Sequence, residues 1–130
     1  MFNDPIADTL IRIKNGYLAK KPEVAVGYSK INEELVKLIV KNGFAEEIKV
    51  SGSGLEKKII IKLKYIDKQP AISNVVRVSK PSLRIYVNKD NIPSVFGGLG
   101  KTIISTPKGL LIGNEARKKH LGGEVICKIW

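Results

Sequence analysis

The stretch from Gly100 to Glu124, GKTIISTPKGLLIGNEARKKHLGGE, constrains this chain more than any other. Ile103 and Ile104 are β-branched and predict a strand. Ser105 and Thr106 follow at its end, and Pro107-Lys108-Gly109 supplies the proline and glycine of a tight turn. A pair of hydroxyls is therefore expected on a strand-to-turn corner. A hydroxyl both donates and accepts hydrogen bonds, which suits the base edges and 2′-hydroxyls of folded RNA better than a cation alone. The alternative role for Ser105 and Thr106 is to satisfy amides of their own turn. Past the turn, Glu115 to His120 predicts a short helix carrying Arg117, Lys118 and Lys119, followed by Gly122-Gly123 and Glu124.

With 130 residues the chain can bury roughly two thirds of its unfolded surface and needs no disulfide or metal to fold. Its single cysteine, Cys127, has no partner within the chain, and no Cys/His spacing offers a zinc site, so a reducing compartment is expected. The opening MFNDPIADTL has no basic region before an apolar stretch, and the aliphatic run Ile59-Ile60-Ile61 is far short of a membrane span. A soluble, unprocessed protein is expected. Net charge is +11; residues 1–67 hold 12 basic and 9 acidic side chains, and residues 68–130 hold 11 basic and 3 acidic. The second half is thus expected to carry the polyanion-binding field. A membrane partner would need a long basic amphipathic helix, which the segment around Arg117 is too short to form, so nucleic acid is the expected partner. The same charge predicts a monomer in the free state.

Asp4-Pro5 followed by Ile6, Leu10, Ile13 and Tyr17 predicts a helix with an acid at its N-cap and proline at its first position, ending near Lys21-Pro22. A strand is expected over Val24–Tyr28. Ser29 then caps a second helix, whose Ile31, Leu35, Leu38 and Ile39 share a face and whose end is marked by Asn42-Gly43. Phe44–Val50 and Glu56–Tyr65, on either side of Ser-Gly-Ser-Gly, predict a hairpin with Ile59, Ile61, Leu63 and Tyr65 inward and Lys58, Lys62 and Lys64 outward. Asp67-Lys68-Gln69-Pro70 is polar and broken by proline, and is placed as the boundary between lobes. The fold class that follows is α+β in two small lobes: an N-terminal α-β-α-β-β lobe over 1–67, and a mostly β C-terminal lobe with a short helix over 68–130. In the second lobe Leu83, Ile85 and Val87 alternate with Arg84 and Tyr86, which places a cation and an aromatic on the solvent face of a strand. Such a tyrosine can stack on a base, or be an ordinary half-buried edge residue. Val125, Cys127 and Ile129 are expected to alternate with Glu124, Ile126, Lys128 and Trp130 in a closing strand.

Gly97-Gly98-Leu99-Gly100-Lys101-Thr102 falls short of a phosphate-binding P-loop: Val95 stands where the first glycine is needed, and Ile103-Ile104 reads as strand where a helix should start. Gly97-x-x-Gly100 is equally a poor clamp of the KH type, which joins two helices. His120 reads as a solvated helix end and Cys127 as buried packing. No pairing of acid and base suggests catalysis, and neither an enzyme nor a cofactor is expected.

Gly100, Ile103-Ile104-Ser105-Thr106, Gly109-Leu110-Leu111 and Ala116-Arg117 at this spacing resemble the signature of the bacterial form of ribosomal small-subunit protein eight. DPIADTLIRIKNG, SKINEEL, NIPSVFGGLG and GGEVICKIW resemble the same family over the full length. The resemblance implies a cytoplasmic protein, or an organellar one, that binds the central domain of the small-subunit ribosomal RNA and helps organise the platform. It also implies neighbours such as small-subunit proteins five and twelve, and repression of its own operon through a similar site in messenger RNA. By resemblance, RNA contacts fall on Ser105, Thr106, Lys108, Gly109, Gly122, Gly123 and Glu124, with secondary contacts at Asp4, Pro5, Ser29 and Lys30 in the first lobe. An acid such as Glu124 beside RNA implies a base amino partner or a cross-strand cation near Lys128. Two departures stand out. Pro107 replaces a usual serine, and Ile112-Gly113-Asn114 replaces a usual Thr-Asp helix start, which moves the expected cap to Gly113 or Asn114.

Overall fold

The computed structural model describes residues 4–94 and 100–130, and the chain divides into two compact units. The first spans Pro5–Ser73; the second joins Asp4 to Asn74–Trp130.

In the first unit, α1 (Pro5–Leu18) buries Leu10, Ile13 and Tyr17 along one stripe, as the 3.6-residue period requires. Its Gly16 admits close approach, since a Cβ there would meet Val24 Cγ1 and come within 3.1 Å of Leu63 Cδ1. β1 (Glu23–Gly27), β2 (Glu47–Ser51) and β3 (Lys58–Lys62) form an antiparallel sheet in the order β1-β3-β2. Ile59 and Ile61 on central β3 are fully buried while Lys58 and Lys62 are exposed, the alternation read from sequence. α2 (Lys30–Lys41) begins at Ser29, whose Oγ accepts from the Asn32 amide at 3.1 Å, and turns out at Gly43 with φ of 81°. It buries Leu35, Val36, Leu38 and Ile39; truncating Leu35 to alanine would cost about 2–5 kcal/mol.

The expected boundary at Asp67–Pro70 is instead a tight hairpin, β4 (Tyr65–Ile66) with β5 (Gln69–Pro70). Asp67 and Lys68 form its turn with φ of 51° and 67°, the paired left-handed geometry that suits a two-residue hairpin loop. The hairpin stays with the first unit because Tyr65 donates to Lys21 O at 2.6 Å and its ring meets the Tyr17 ring edge-on at 5.4 Å. The units part later, between Ser73 and Asn74.

In the second unit, β6 (Val75–Arg77), β8 (Lys101–Thr106), β9 (Gly109–Ile112) and β10 (Gly123–Ile129) form a sheet in the order β6-β10-β8-β9, and β7 (Tyr86–Val87) pairs with the start of β10. α3 (Gly113–Lys118) packs Ala116 into a cluster with Ile92, Ile104, Leu111 and Val125. Asp4 belongs here rather than with the first unit, because its carboxylate accepts from Arg77 Nε at 3.2 Å and Nη2 at 3.4 Å.

Three local expectations are corrected. Ile126 is buried rather than outward, because the β10 register slips between Val125 and Cys127 and a bulge turns three successive residues inward. Leu83 is exposed, since Lys80 and Leu83 exchange backbone bonds in a tight turn before the strand proper begins. α3 takes Ile112 as its N-cap with no side-chain cap, and starts two residues earlier than expected. Gly113 is its first residue because a Cβ there would come within 3.0 Å of Ile92 Cγ2. Residues 95–99 of the NIPSVFGGLG connection, Gly97 and Gly98 among them, lie outside the described residues. Among those described, no helix is long and apolar enough to cross a membrane.

Pro5–Ser73 carries 13 basic and 8 acidic side chains, and Asp4 with 74–130 carries 10 and 4, so the excesses are +5 and +6. The positive field expected to belong to the second half is shared, because Lys68 moves to one unit and Asp4 to the other.

Candidate nucleic-acid interface

The site in the second unit is built on a ladder. Ser105 pairs with Glu124 across β8 and β10, and Glu124 pairs with Tyr86 across β10 and β7. Partners across an antiparallel ladder share a face, so Ser105, Glu124 and Tyr86 form one row of hydroxyl, carboxylate and phenol. Arg84 donates from Nη1 to Glu124 Oε2 at 2.9 Å. The acid thus has a cation beside it, next to Tyr86 rather than near Lys128. The hydrogen bond to Glu124, and then its negative charge, raise the Arg84 pKa further. Tyr86 projects outward with 68% of its surface exposed, so it is not a half-buried edge residue.

The two hydroxyls have different roles. Thr106 is buried; its Oγ1 donates to Gly109 O at 2.8 Å and accepts from the Lys108 amide at 3.1 Å. It braces its own turn, with Gly109 closing the turn at φ of 101° and Pro107 and Lys108 exposed at the tip. Ser105, one residue earlier, lies on the opposite face in the row with Glu124 and is partly exposed.

Gly122 and Gly123 act by close approach. A Cβ on Gly123 would meet Ser105 O and sit 2.9 Å from Ser105 C; one on Gly122 would meet Val87 O and sit 2.8 Å from Asn88 Cα. The double glycine thus lets the start of β10 lie between the ends of β8 and β7, which brings Ser105, Glu124 and Tyr86 together.

On α3, Arg117 reaches back to Ile92 O and to Asn114 Oδ1, each at 3.1 Å, so its guanidinium holds the approach to β8 as well as contributing charge. Lys118 and Lys119 are exposed, and His120 ends the helix at φ of 56°. Cys127 is buried, and desolvation pushes its thiol up to about 12, opposed in part by Arg77. Among the described residues, no group of three or more His, Cys, Asp or Glu is placed to hold a metal ion. Pro5, Ser29 and Lys30 belong to the other unit, where Ser29 caps α2 and Lys30 is exposed. The sequence missed Arg84 as the partner of Glu124, whereas the bracing role of Thr106 was one of its two readings. The Arg84 pairing spans 40 residues of sequence, whereas the Thr106 bonds are local to its turn.

Residues 4–130 match the family described as Ribosomal protein S8. The chain is 47% identical to the small ribosomal subunit protein uS8 of Dictyoglomus turgidum over 98% of its own length and 97% of that protein. It is 48% identical to the protein of that name in Persephonella marina and 43% identical to that of Solibacter usitatus, each over the whole of both chains. With a match running through Ser105, the double glycine and Glu124 and covering both units, the chain belongs to the ribosomal protein S8 family.

Proposed function

We propose that the chain is a structural protein of the small ribosomal subunit that binds the central domain of the small-subunit ribosomal RNA through the Ser105–Glu124–Tyr86 row. The observation that carries this reading is the pairing that lines up these three residues beside Arg84 and the Lys108 turn. Ser105 offers a donor and an acceptor to a base edge or 2′-hydroxyl, Tyr86 a stacking face, and Glu124 an acceptor already oriented by Arg84. Lys108, Lys118 and Lys119 supply phosphate attraction that does not depend on sequence. Thr106, Gly109, Gly122 and Gly123 act through backbone shape, and Pro107 stiffens the turn in place of a hydroxyl. Pro5, Ser29 and Lys30 give secondary contacts from the first unit, with Asp4 acting through Arg77. A matching site in its own messenger would bind the same surface and allow self-repression. Small-subunit proteins five and twelve are the expected neighbours.

Footprinting the protein on naked small-subunit RNA tests the reading. Discrete protections confined to the central domain are expected. Uniform, salt-labile protection along the whole molecule would instead mark a basic packing module with no defined site.

A further inference from the structure

Helix ends and tight turns that need a left-handed residue usually take glycine, because a Cβ is crowded there. α2 follows this rule with Gly43. Among the described residues, the non-glycine positions of positive φ are Lys20, Asp67, Lys68 and His120. Aspartate and histidine are enriched in that region several-fold; lysine has no such preference. Lys20 ends α1, its amide bonded to Tyr17 O at 3.1 Å and that of Lys21 to Gly16 O at 2.9 Å, the arrangement that ordinarily calls for glycine. Lys68 is the second residue of the β4–β5 turn, where Asp-Gly is the usual pair. Glycine would relieve the backbone at both positions, and both carry lysine.

These lysines line one open surface depression of about 330 Å³ together with Tyr65. The Tyr65 hydroxyl is tied to Lys21 O and its ring is set against Tyr17 at an interplanar angle of 67°. The ring is therefore held in one orientation, with little freedom left to lose when a ligand stacks on it. Such left-handed backbone persists only where the surrounding structure holds it and clusters at functional sites, and two lysines borne on it beside a fixed ring match a nucleotide's phosphates and base. The +5 excess of Pro5–Ser73 favours such a polyanion despite Asp67 beside Lys68 in the turn.

We propose that Lys20, Tyr65 and Lys68 form a second RNA contact that takes one unpaired nucleotide, its base stacked on Tyr65 and its flanking phosphates held by the two lysines. It rests on the RNA-binding reading above, but lies on the unit that does not carry Ser105.

The test is the double variant Lys20→Gly/Lys68→Gly bound to a central-domain fragment of small-subunit RNA, compared with Lys49→Gln/Lys62→Gln as a charge-matched control on exposed strand positions of the same unit. The glycine variant is expected to melt no lower than the parent, because its backbone is relaxed. Its log-log salt slope is expected to fall by about 1.4, or about 0.7 for each single-strand phosphate. Its footprint should lose protection at one unpaired site while the protections lost in Ser105→Ala remain. Tyr65→Phe keeps the ring but loses the bond to Lys21 O, so it should retain that protection with weaker binding, and Tyr65→Leu should weaken binding about tenfold and lose it. A glycine variant with unchanged footprint and the same salt slope as the control overturns the proposal, including the case in which it loses only an association with an acidic protein. Failure of the parent itself to bind the fragment would sink the RNA-binding reading instead.

Discussion

Arg84 and Glu124 act as one unit: the guanidinium Nη1, two residues before β7, lies 2.9 Å from the carboxylate Oε2 on β10. The carboxylate is largely enclosed, with 15% of its side chain exposed, while the arginine is 48% exposed. Glu124 thus holds the Arg84 guanidinium beside the row that strand pairing sets.

Arg84→Ala and Glu124→Ala should each weaken binding to the central-domain RNA about five- to tenfold, and the double variant should be no worse than the weaker single, because residues in one network are not additive. Equilibrium binding of the four proteins measures the coupling. Additive losses would mean that the two side chains contact RNA independently.

Gly123→Ala should lower stability by about 1–3 kcal/mol, since its Cβ would meet Ser105 O and force β10 away from β8. RNA affinity should fall with it, because the Ser105–Glu124 pairing opens. Thermal melting and a binding titration on the same sample check both effects, and a variant as stable as the parent would contradict the close approach.

Cys127 should resist thiol reagents in the folded protein at pH 8, because burial holds its pKa near 12 against the ordinary 9.0. The raised value makes the folded state the better proton holder. Its contribution is complete below about pH 9 and is lost as pH rises towards 12, at up to about 1.4 kcal/mol per unit of pH. Denaturant midpoints taken across that window should fall more steeply for the parent than for Cys127→Ala.

Salt dependence should be shared between the units, whose excesses are +5 and +6. Lys119→Ala should weaken cognate and unrelated RNA alike and lower the slope by about one contact. Neutralising Lys108, Lys118 and Lys119 together should cost more than neutralising Lys30; the reverse order would move the main contact to the first unit.

Elements set by nearby residues were legible in the sequence. Ser29 and Gly43 bracket α2 through bonds no more than five residues long, and the Ile59, Ile61 and Lys58, Lys62 alternation places β3 correctly. What escaped was decided at a distance. Asp67-Lys68 looks like a linker until Tyr65 is seen bonded to Lys21, 44 residues away. Asp4 stands just before Pro5, as a helix cap should, but its ion pair with Arg77, 73 residues away, could not be read from the sequence, and Ile126 looks outward until the bulge against β8 shifts the strand. Of the site, Ser105, Glu124 and Tyr86 were named singly, but their alignment depends on the register of three strands.

The division between Ser105 and Thr106 is the point most open to a direct test, because adjacent hydroxyls on opposite faces should fail differently. Thr106→Ala removes the bond to Gly109 O and the acceptor for Lys108, so melting should fall by the equivalent of about 1–2 kcal/mol, with the ratio of cognate to unrelated RNA binding largely kept. Ser105→Ala should melt as the parent does and lose about 1–3 kcal/mol on the cognate helix alone, with an unchanged salt slope. Measuring that binding ratio beside the melting temperature for both variants decides the matter. A Ser105→Ala protein that melts normally and keeps full discrimination would contradict recognition through the Ser105–Glu124–Tyr86 row.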